Sequence, residues 1–372
     1  MGGPDGRSDF RIDPVPRHLD LVAVWDCFSL CCRGNRTIAP AYGPSEINLV
    51  KESDLTKGVD EKTPWLALAI FVLLLLLPMA LPRFYTYLLA LILVTGLLAT
   101  SLNVALGYGG IYQFHHAVFY GAGAYGAAIM ITKLGYSPWL GFIVGPLLAA
   151  FLSLVIGAIC IRLSKLYFGM LQISLGSLVW VVVYRWYSVT GGDDGIHGIT
   201  MPALIATPKG AYYFTLLVTG VCLLVMYIIV KSPFGSTLQG IRDNPVRSEA
   251  IGVNVKLQQL AALVIAGFFA GVAGVLFVVV DNSAFPDMLF WTLSLEILIM
   301  CLLGGWFTFL GPMLGAAILV ALRTIASTFT EYWTLIQGVI LMLVIIFLPE
   351  GVLGYLNVKF RQFGDTFLSG EK

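Results

Sequence analysis

Long apolar runs fill the chain from Trp65 to Leu348, and short polar or Gly/Pro-rich breaks divide them. At the roughly 17–25 residues that a ~30 Å hydrocarbon core demands, ten membrane spans can be read. They are Trp65–Leu81, Tyr85–Ala105, Ile111–Ile131, Trp139–Ile161, Tyr167–Tyr187, Tyr212–Val230, Leu260–Val280, Trp291–Leu303, Gly311–Leu322 and Trp333–Leu348. Three of these look short or interrupted. Leu106–Gly126 is thick with Gly and polar side chains, and Leu302–Pro312 contains Gly-Gly-Trp-Phe-Thr-Phe-Leu-Gly-Pro, so both read as broken or re-entrant backbone. Such backbone survives at membrane depth only where protein or a water-filled cavity surrounds it. The expectation is an all-α polytopic membrane protein of about ten transmembrane helices.

One polar interruption is longer and differently built. Ser232–Val255, SPFGSTLQGIRDNPVRSEAIGVNV, is a charged island between two apolar spans and cannot itself cross lipid. Leu238, Ile241, Ala250, Ile251 and Val253 fall at spacings that leave apolar stripes on short amphipathic helices, with Arg242, Asp243, Arg247 and Glu249 facing elsewhere. Two readings fit that pattern, a surface built to dock another protein and an ordinary cytoplasmic loop.

Composition agrees with the spans. Apolar residues make up 58% and charged residues 12% of 372, against ~45–50% and ~25% in a soluble domain. The net charge of +1, with basic residues scattered over short loops, points to no nucleic-acid partner. The Lys and Arg bias orients the chain: Arg162, Lys165 and Lys231–Lys256 fall inside, while Asp193–Asp194 and Asp281–Asp287 fall outside. Both termini are then cytoplasmic. Spans two to five and seven to ten enter the membrane in opposite senses, the parity that an inverted repeat requires.

Residues 1–63 are expected to form a polar, weakly ordered cytoplasmic tail or the product of a mis-assigned start, 64–355 the transmembrane domain, and 356–372 a cytoplasmic C-terminal tail. Asp20–Arg33 could form a short interfacial helix, but its acidic residues disfavour anionic lipid. Cys27, Cys31 and Cys32 cluster there with His18 nearby, at a spacing that is not a zinc knuckle, and read as bystander thiols. Cys160, Cys222 and Cys301 lie in apolar spans and read as packing residues.

Catalytic signatures are missing from the sequence. It holds no Gly-x4-Gly-Lys-Ser/Thr loop and no Ser/His/Asp or paired-carboxylate constellation outside the spans. No catalytic residue, metal or cofactor is therefore expected on this chain.

Polar groups inside the spans are costly and become functional candidates by default. Glu296, about 7–8 Å past the start of its span, would suit a solute ammonium or a cationic partner, or could be a neutral acid hydrogen-bonded between helices. Asn103, Gln172 and Ser174 fit inter-helix hydrogen bonds or solute contacts.

Order of residues, rather than composition, carries a resemblance. Gly235, Ile241, Arg242, Asn244, Glu249, Ala250, Gly252, Asn254 and Val255 match the pattern Gly-x5-Ile-Arg-x-Asn…Glu-Ala-x-Gly-x-Asn-Val. This resembles the cytoplasmic coupling segment of branched-chain amino acid permeases, M-type subunits of bacterial ABC importers. The likeness runs from roughly Tyr85 to Tyr355. Gly110, His116, Ala117, Phe119, Gly123, Ala124 and Tyr125 match a second family element, in which Gln113 replaces the usual Ser and His115 the usual Gly. Tyr167-Phe168 fits a Gly-x-Tyr-Phe element whose Gly is here Lys165, Thr190–Ile199 resembles an outer-side Thr-Gly-Gly loop, and Leu348–Gly354 resembles the closing Leu-Pro-x-Gly-x-x-Gly.

The resemblance implies the ABC importer permease fold in a bacterial inner membrane, working beside a second permease subunit, two ABC ATPase subunits that use the ATP, and a periplasmic or lipid-anchored binding protein. It implies branched-chain or other apolar amino acids as solutes. Urea or short amides, and an ion-coupled secondary transporter, are the alternatives. Candidate pathway residues are Gln113, His115, His116, Gln172 and Glu296. Candidate ATPase-coupling residues are Gly235, Arg242, Asn244, Glu249, Ala250 and Gly252.

Overall fold

Apolar helices lie where the hydropathy pattern puts them. The computed structural model describes residues 81–163 and 165–329 and scattered positions on either side (74–75, 77–78, 332, 335–336, 338–339, 342 and 351), all within the unit Val72–Lys372. The expected tails 1–63 and 356–372, the thiols Cys27, Cys31 and Cys32, and most of the first and tenth expected spans lie outside the described residues.

Among the described residues, six helices are long and apolar enough to cross a membrane. They are α1 (Arg83–Asn103, prolonged by a π-helical turn Val104–Tyr108), α3 (Pro138–Cys160), α4 (Lys165–Arg185), α6 (Pro208–Lys231), α9 (Val255–Asp281) and α11 (Gly311–Phe329). Two apolar helices are shorter: α2 (Ala117–Thr132, 16 residues) and α10 (Trp291–Gly304, 14 residues). At 1.5 Å per residue they reach only ~24 and ~21 Å, short of a ~30 Å core. Each adjoins a break in the helical backbone, at residues 109–116 before α2 and 305–310 after α10. Both breaks coincide with the Gly-rich segments singled out in the sequence.

The ninth expected span is longer than its apolar run. The sequence pattern ends it at Leu322, whereas α11 continues to Phe329. The polar residues beyond Leu322 are accommodated in place: Thr324, Ser327 and Thr328 donate to backbone carbonyls three or four residues back, and Arg323 reaches Glu296.

Helix starts are set by local chemistry. Pro208, Pro233 and Pro245 each sit in a first turn, where the missing N–H costs nothing. Thr207, Asn244 and Asn254 cap their helices by accepting from Gly210, Arg247 and Leu257 N–H at 3.1, 3.0 and 3.2 Å. The island Ser232–Val255 thus becomes two short helices, α7 (Pro233–Asp243) and α8 (Pro245–Ala250).

Packing centres on α1 and α9, each with 72% of its most apolar stretch buried, while α4 has 22%. Small residues let α2, α3 and α9 approach closely: a Cβ at Gly123 would run into the Gly271 carbonyl, and one at Gly145 would stand 2.6 Å from the Gly123 carbonyl. Ser153 of α3 donates to the Leu263 carbonyl of α9 at 2.8 Å.

Two ends can be distinguished. At one, the single helical turn α5 (Tyr187–Thr190) precedes strand β1 (Ile196–His197), which pairs antiparallel with β2 (Ser283–Ala284), Ile196 opposite Ala284, and Tyr87 Oη donates to Asp281 Oδ1 at 3.1 Å. At the other lie α7, α8 and the break at 109–116, since Arg242 contacts Gly107.

Candidate functional site

The first break brings four of the predicted pathway residues together. As α1 loosens into a π-helical turn, a geometry that recurs at functional sites, the chain runs through Gly110 (φ 62°) and re-enters helix at Ala117. The Phe114 N–H donates to Gln172 Oε1 of α4 at 3.2 Å. One turn on, a Cβ at Gly176 would stand 2.6 Å from the His115 ring, so this glycine opens the space that the ring fills. His116 Nε2 lies 2.9 Å from Ser101 Oγ on α1, and the Ala117 N–H donates to Ser294 Oγ of α10 at 2.9 Å. Gln113, His115 and His116 are each 0% exposed.

Their polar atoms are poorly served. Both amide ends of Gln113 and His116 Nδ1 have no hydrogen-bond partner, and neither ring nitrogen of His115 has one in another residue. Each such group costs ~1–3 kcal/mol when buried. Several at one break are a burden that simple packing would not require.

Glu296 stands apart from this cluster. It lies two residues beyond Ser294 on α10, about 200° round the helix, and turns toward α11 instead. Its Oε2 is 3.7 Å from Arg323 Nη1, so a cationic partner is present within the chain itself. The sequence reading did not single out Arg323, Ser294 or Ser101.

The island presents two faces. Gly235, Leu238 and Ile241 are buried, and a Cβ at Gly235 would collide with the Val230 carbonyl. The expected apolar stripe therefore divides: Leu238 and Ile241 pack inward, whereas Val246 (73%) and Ile251 (78%) are exposed beside exposed Arg247, Glu249 and Ala250. Asn244 is spent on capping α8, and Gly252 holds φ 90° with no atom within 4 Å of a would-be Cβ. Arg242 points inward rather than elsewhere. Its Nη1 donates to the Gly107 carbonyl at 2.7 Å and its guanidinium lies 5.3 Å from the Phe307 ring centre.

At the opposite end, the Thr190–Ile199 loop turns through Gly191, Gly192, Gly195 and Gly198, all at positive φ, and leaves Asp193, Asp194 and His197 exposed. Among the described residues no group of three or more His, Cys, Asp or Glu side chains could hold a metal ion.

Residues 84–346 match the protein family described as "Branched-chain amino acid transport system / permease component". The chain belongs to that family. The permease is 25% identical over 284 residues to the high-affinity branched-chain amino acid transport system permease protein LivM of Escherichia coli, covering 69% of this chain and 67% of the relative. It is 23% identical over 314 residues to the probable LivM permease of Methanocaldococcus jannaschii, covering 69% and 89%. Similarity extends to the autoinducer 2 import system permease protein LsrC of Klebsiella pneumoniae, 26% identical over 213 residues and covering 55% and 60%. No solved structure matches. The permease is a multi-pass membrane protein and a transport component.

Proposed function

We propose that this permease is a transmembrane subunit of an ATP-driven ABC importer for branched-chain or other apolar amino acids, seated in a bacterial inner membrane. In this reading about ten spans leave both termini and the α7–α8 island in the cytoplasm, and the β1–β2 end faces outward. The chain forms half of the translocation route with a second permease subunit, couples to two ABC ATPase subunits that bind and hydrolyse the ATP, and receives solute from a periplasmic or lipid-anchored binding protein.

The observation that carries the reading is the exposed face of the island. Val246, Ile251, Arg247, Glu249 and Ala250 combine apolar and charged groups on α8, which Asn244 caps, and on the turn after it. An exposed apolar residue flanked by charge in a capped element suits a protein groove better than water. The inward face of the same island is packed, so movement of the docked face is passed to the transmembrane helices.

Gln113, His115, His116 and Gln172 are proposed to border the route at the break. Their unpartnered atoms would gain water or solute contacts when the segment opens, which supplies a reason for keeping them. The enlarged polar side chains Gln113 and His115 favour one second reading, a more polar solute such as urea or a short amide. The test is purification of the chain with its ATPase and binding-protein partners, followed by ATP hydrolysis measured with leucine, isoleucine, valine, urea and short amides. Stimulation by the aliphatic amino acids alone supports the first reading, and stimulation by urea or amides the second.

A further inference from the structure

Arg242 lies on the island but faces away from its exposed docking side. Three parts of the chain that are far apart in sequence meet around it. The first is α7 itself, where Leu238 and Ile241 pack inward beside it. The second is the π-helical turn and break after α1, whose Gly107 carbonyl accepts from Nη1 at 2.7 Å. The third is the break after α10, whose Phe307 ring lies 5.3 Å from the guanidinium carbon. The two breaks are themselves tied, because Asn103 Nδ2 donates to the Thr308 carbonyl at 3.1 Å and Gly107 abuts the Trp306 carbonyl too closely for any Cβ.

Gly110 fits the same junction. Its φ of 62° suits glycine, and a Cβ there would stand 2.8 Å from Arg242 Cγ. Beside this contact is a cavity of about 100 Å³, lined by Gly109, Gly110, Ile111, Ile241, Arg242 and Gln259 among others. That is space for several water molecules, so the packing of α7 against the break is interrupted on one side of the Arg242 contact. A planar guanidinium can hold a carbonyl at its edge while its face is turned to an aromatic ring, a directional geometry that the compact ammonium does not have.

We propose that Arg242 is a positioning residue that transmits movement of the α7–α8 island to both intramembrane breaks, rather than a contact to the ATPase. This role rests on the importer reading. A displacement of α7 pulls on the Gly107 carbonyl and on Phe307 together, and the cavity supplies the room in which the 109–116 segment shifts. Gln113, His115 and His116 lie on that segment, so the strut links the docking face to the proposed solute route.

The test uses the assembled importer in proteoliposomes with its solute-loaded binding protein, reading ATP hydrolysed per solute imported. Arg242→Met keeps side-chain length without the charge, Arg242→Lys keeps the charge without the planar fork, and Phe307→Leu removes the ring. The complex of Arg242→Met is expected to retain its ATPase chains at the wild-type ratio, while ATP used per solute rises about tenfold or more, the size of a lost charge-assisted hydrogen bond. Arg242→Lys is expected to fall between, and Phe307→Leu to shift the same way by less.

A wild-type ratio of ATP to solute in Arg242→Met overturns the proposal. Loss of the ATPase chains from the purified complex also overturns it, by making Arg242 a docking contact. Where Arg242→Met gives no folded complex, Arg242→Lys and Phe307→Leu decide, and normal coupling in both overturns the role. Failure of the wild-type chain to recruit any ATPase removes the importer reading itself, and this role with it.

Discussion

The backbone N–H of Ala117, first residue of α2, donates to the hydroxyl oxygen of Ser294 on α10 at 2.9 Å, with both residues buried. The first N–H groups of a helix have no intrahelical acceptor, and here a side chain from another helix supplies one across 177 positions of sequence. Ser294→Ala should therefore cost ~1–3 kcal/mol. The apparent melting temperature of the detergent-solubilised chain should drop by a few degrees, and Ser294→Thr should recover most of it. An unchanged melting temperature in Ser294→Ala would show that this contact does not fix the start of α2.

Sidedness gives a second prediction. In a background lacking the six native cysteines, an impermeant thiol reagent applied from outside should label a probe at Asp194 and not one at Asn244. Both positions are exposed. Ile196, two residues along, is 6% exposed and would report burial instead of topology. Labelling at Asn244 alone would invert the proposed orientation.

The break at 109–116 yields a third. Replacing Gln113 with Ser and His115 with Gly removes four unpartnered buried polar atoms. Folded yield should hold, because each lost orphan offsets lost packing, while transport rate or solute preference per folded complex changes severalfold. A lower yield with an unchanged rate per folded complex would make these side chains packing residues only.

Glu296 is open to a similar comparison. Glu296→Gln leaves Arg323 without its carboxylate neighbour at 3.7 Å. Uptake per folded complex should fall more than folded yield does, measured by transport against a gel-filtration standard of the assembled complex. Restoration of both by the reversal Glu296→Arg with Arg323→Glu would assign the pair to helix packing.

Much of this architecture was legible from hydropathy, because lipid imposes a minimum apolar length on every span and tolerates broken backbone only under cover. The Gly-rich stretches around Gly110 and Gly305 announced the two breaks for that reason. The orientation of Arg242 was not legible. An arginine on an amphipathic helix reads as solvent-facing, and only a carbonyl 135 positions away, freed where α1 loosens, turns it inward. Arg323 was missed for a related reason: it looked like the polar end of a span, since Glu296 is brought beside it only by the pairing of α10 with α11. The island's five apolar positions could be assigned to stripes but not divided between an inward and an outward face, because that division depends on what α7 packs against.

An ATPase subunit is proposed to seat on the exposed face of α8 and the turn after it, and co-purification of the ATPase chains with Ile251→Arg and with Gly252→Trp, alongside solute uptake by each, measures that contact. Neither change disturbs this chain's interior, since Ile251 is 78% exposed and a Cβ at Gly252 meets nothing within 4 Å, although φ 90° adds local strain to the tryptophan variant. Normal membrane insertion and folded yield are expected, with the ATPase chains lost or reduced to a small fraction and uptake abolished. Wild-type recovery of the ATPase chains and normal uptake in both variants would show that the ATPase seats elsewhere.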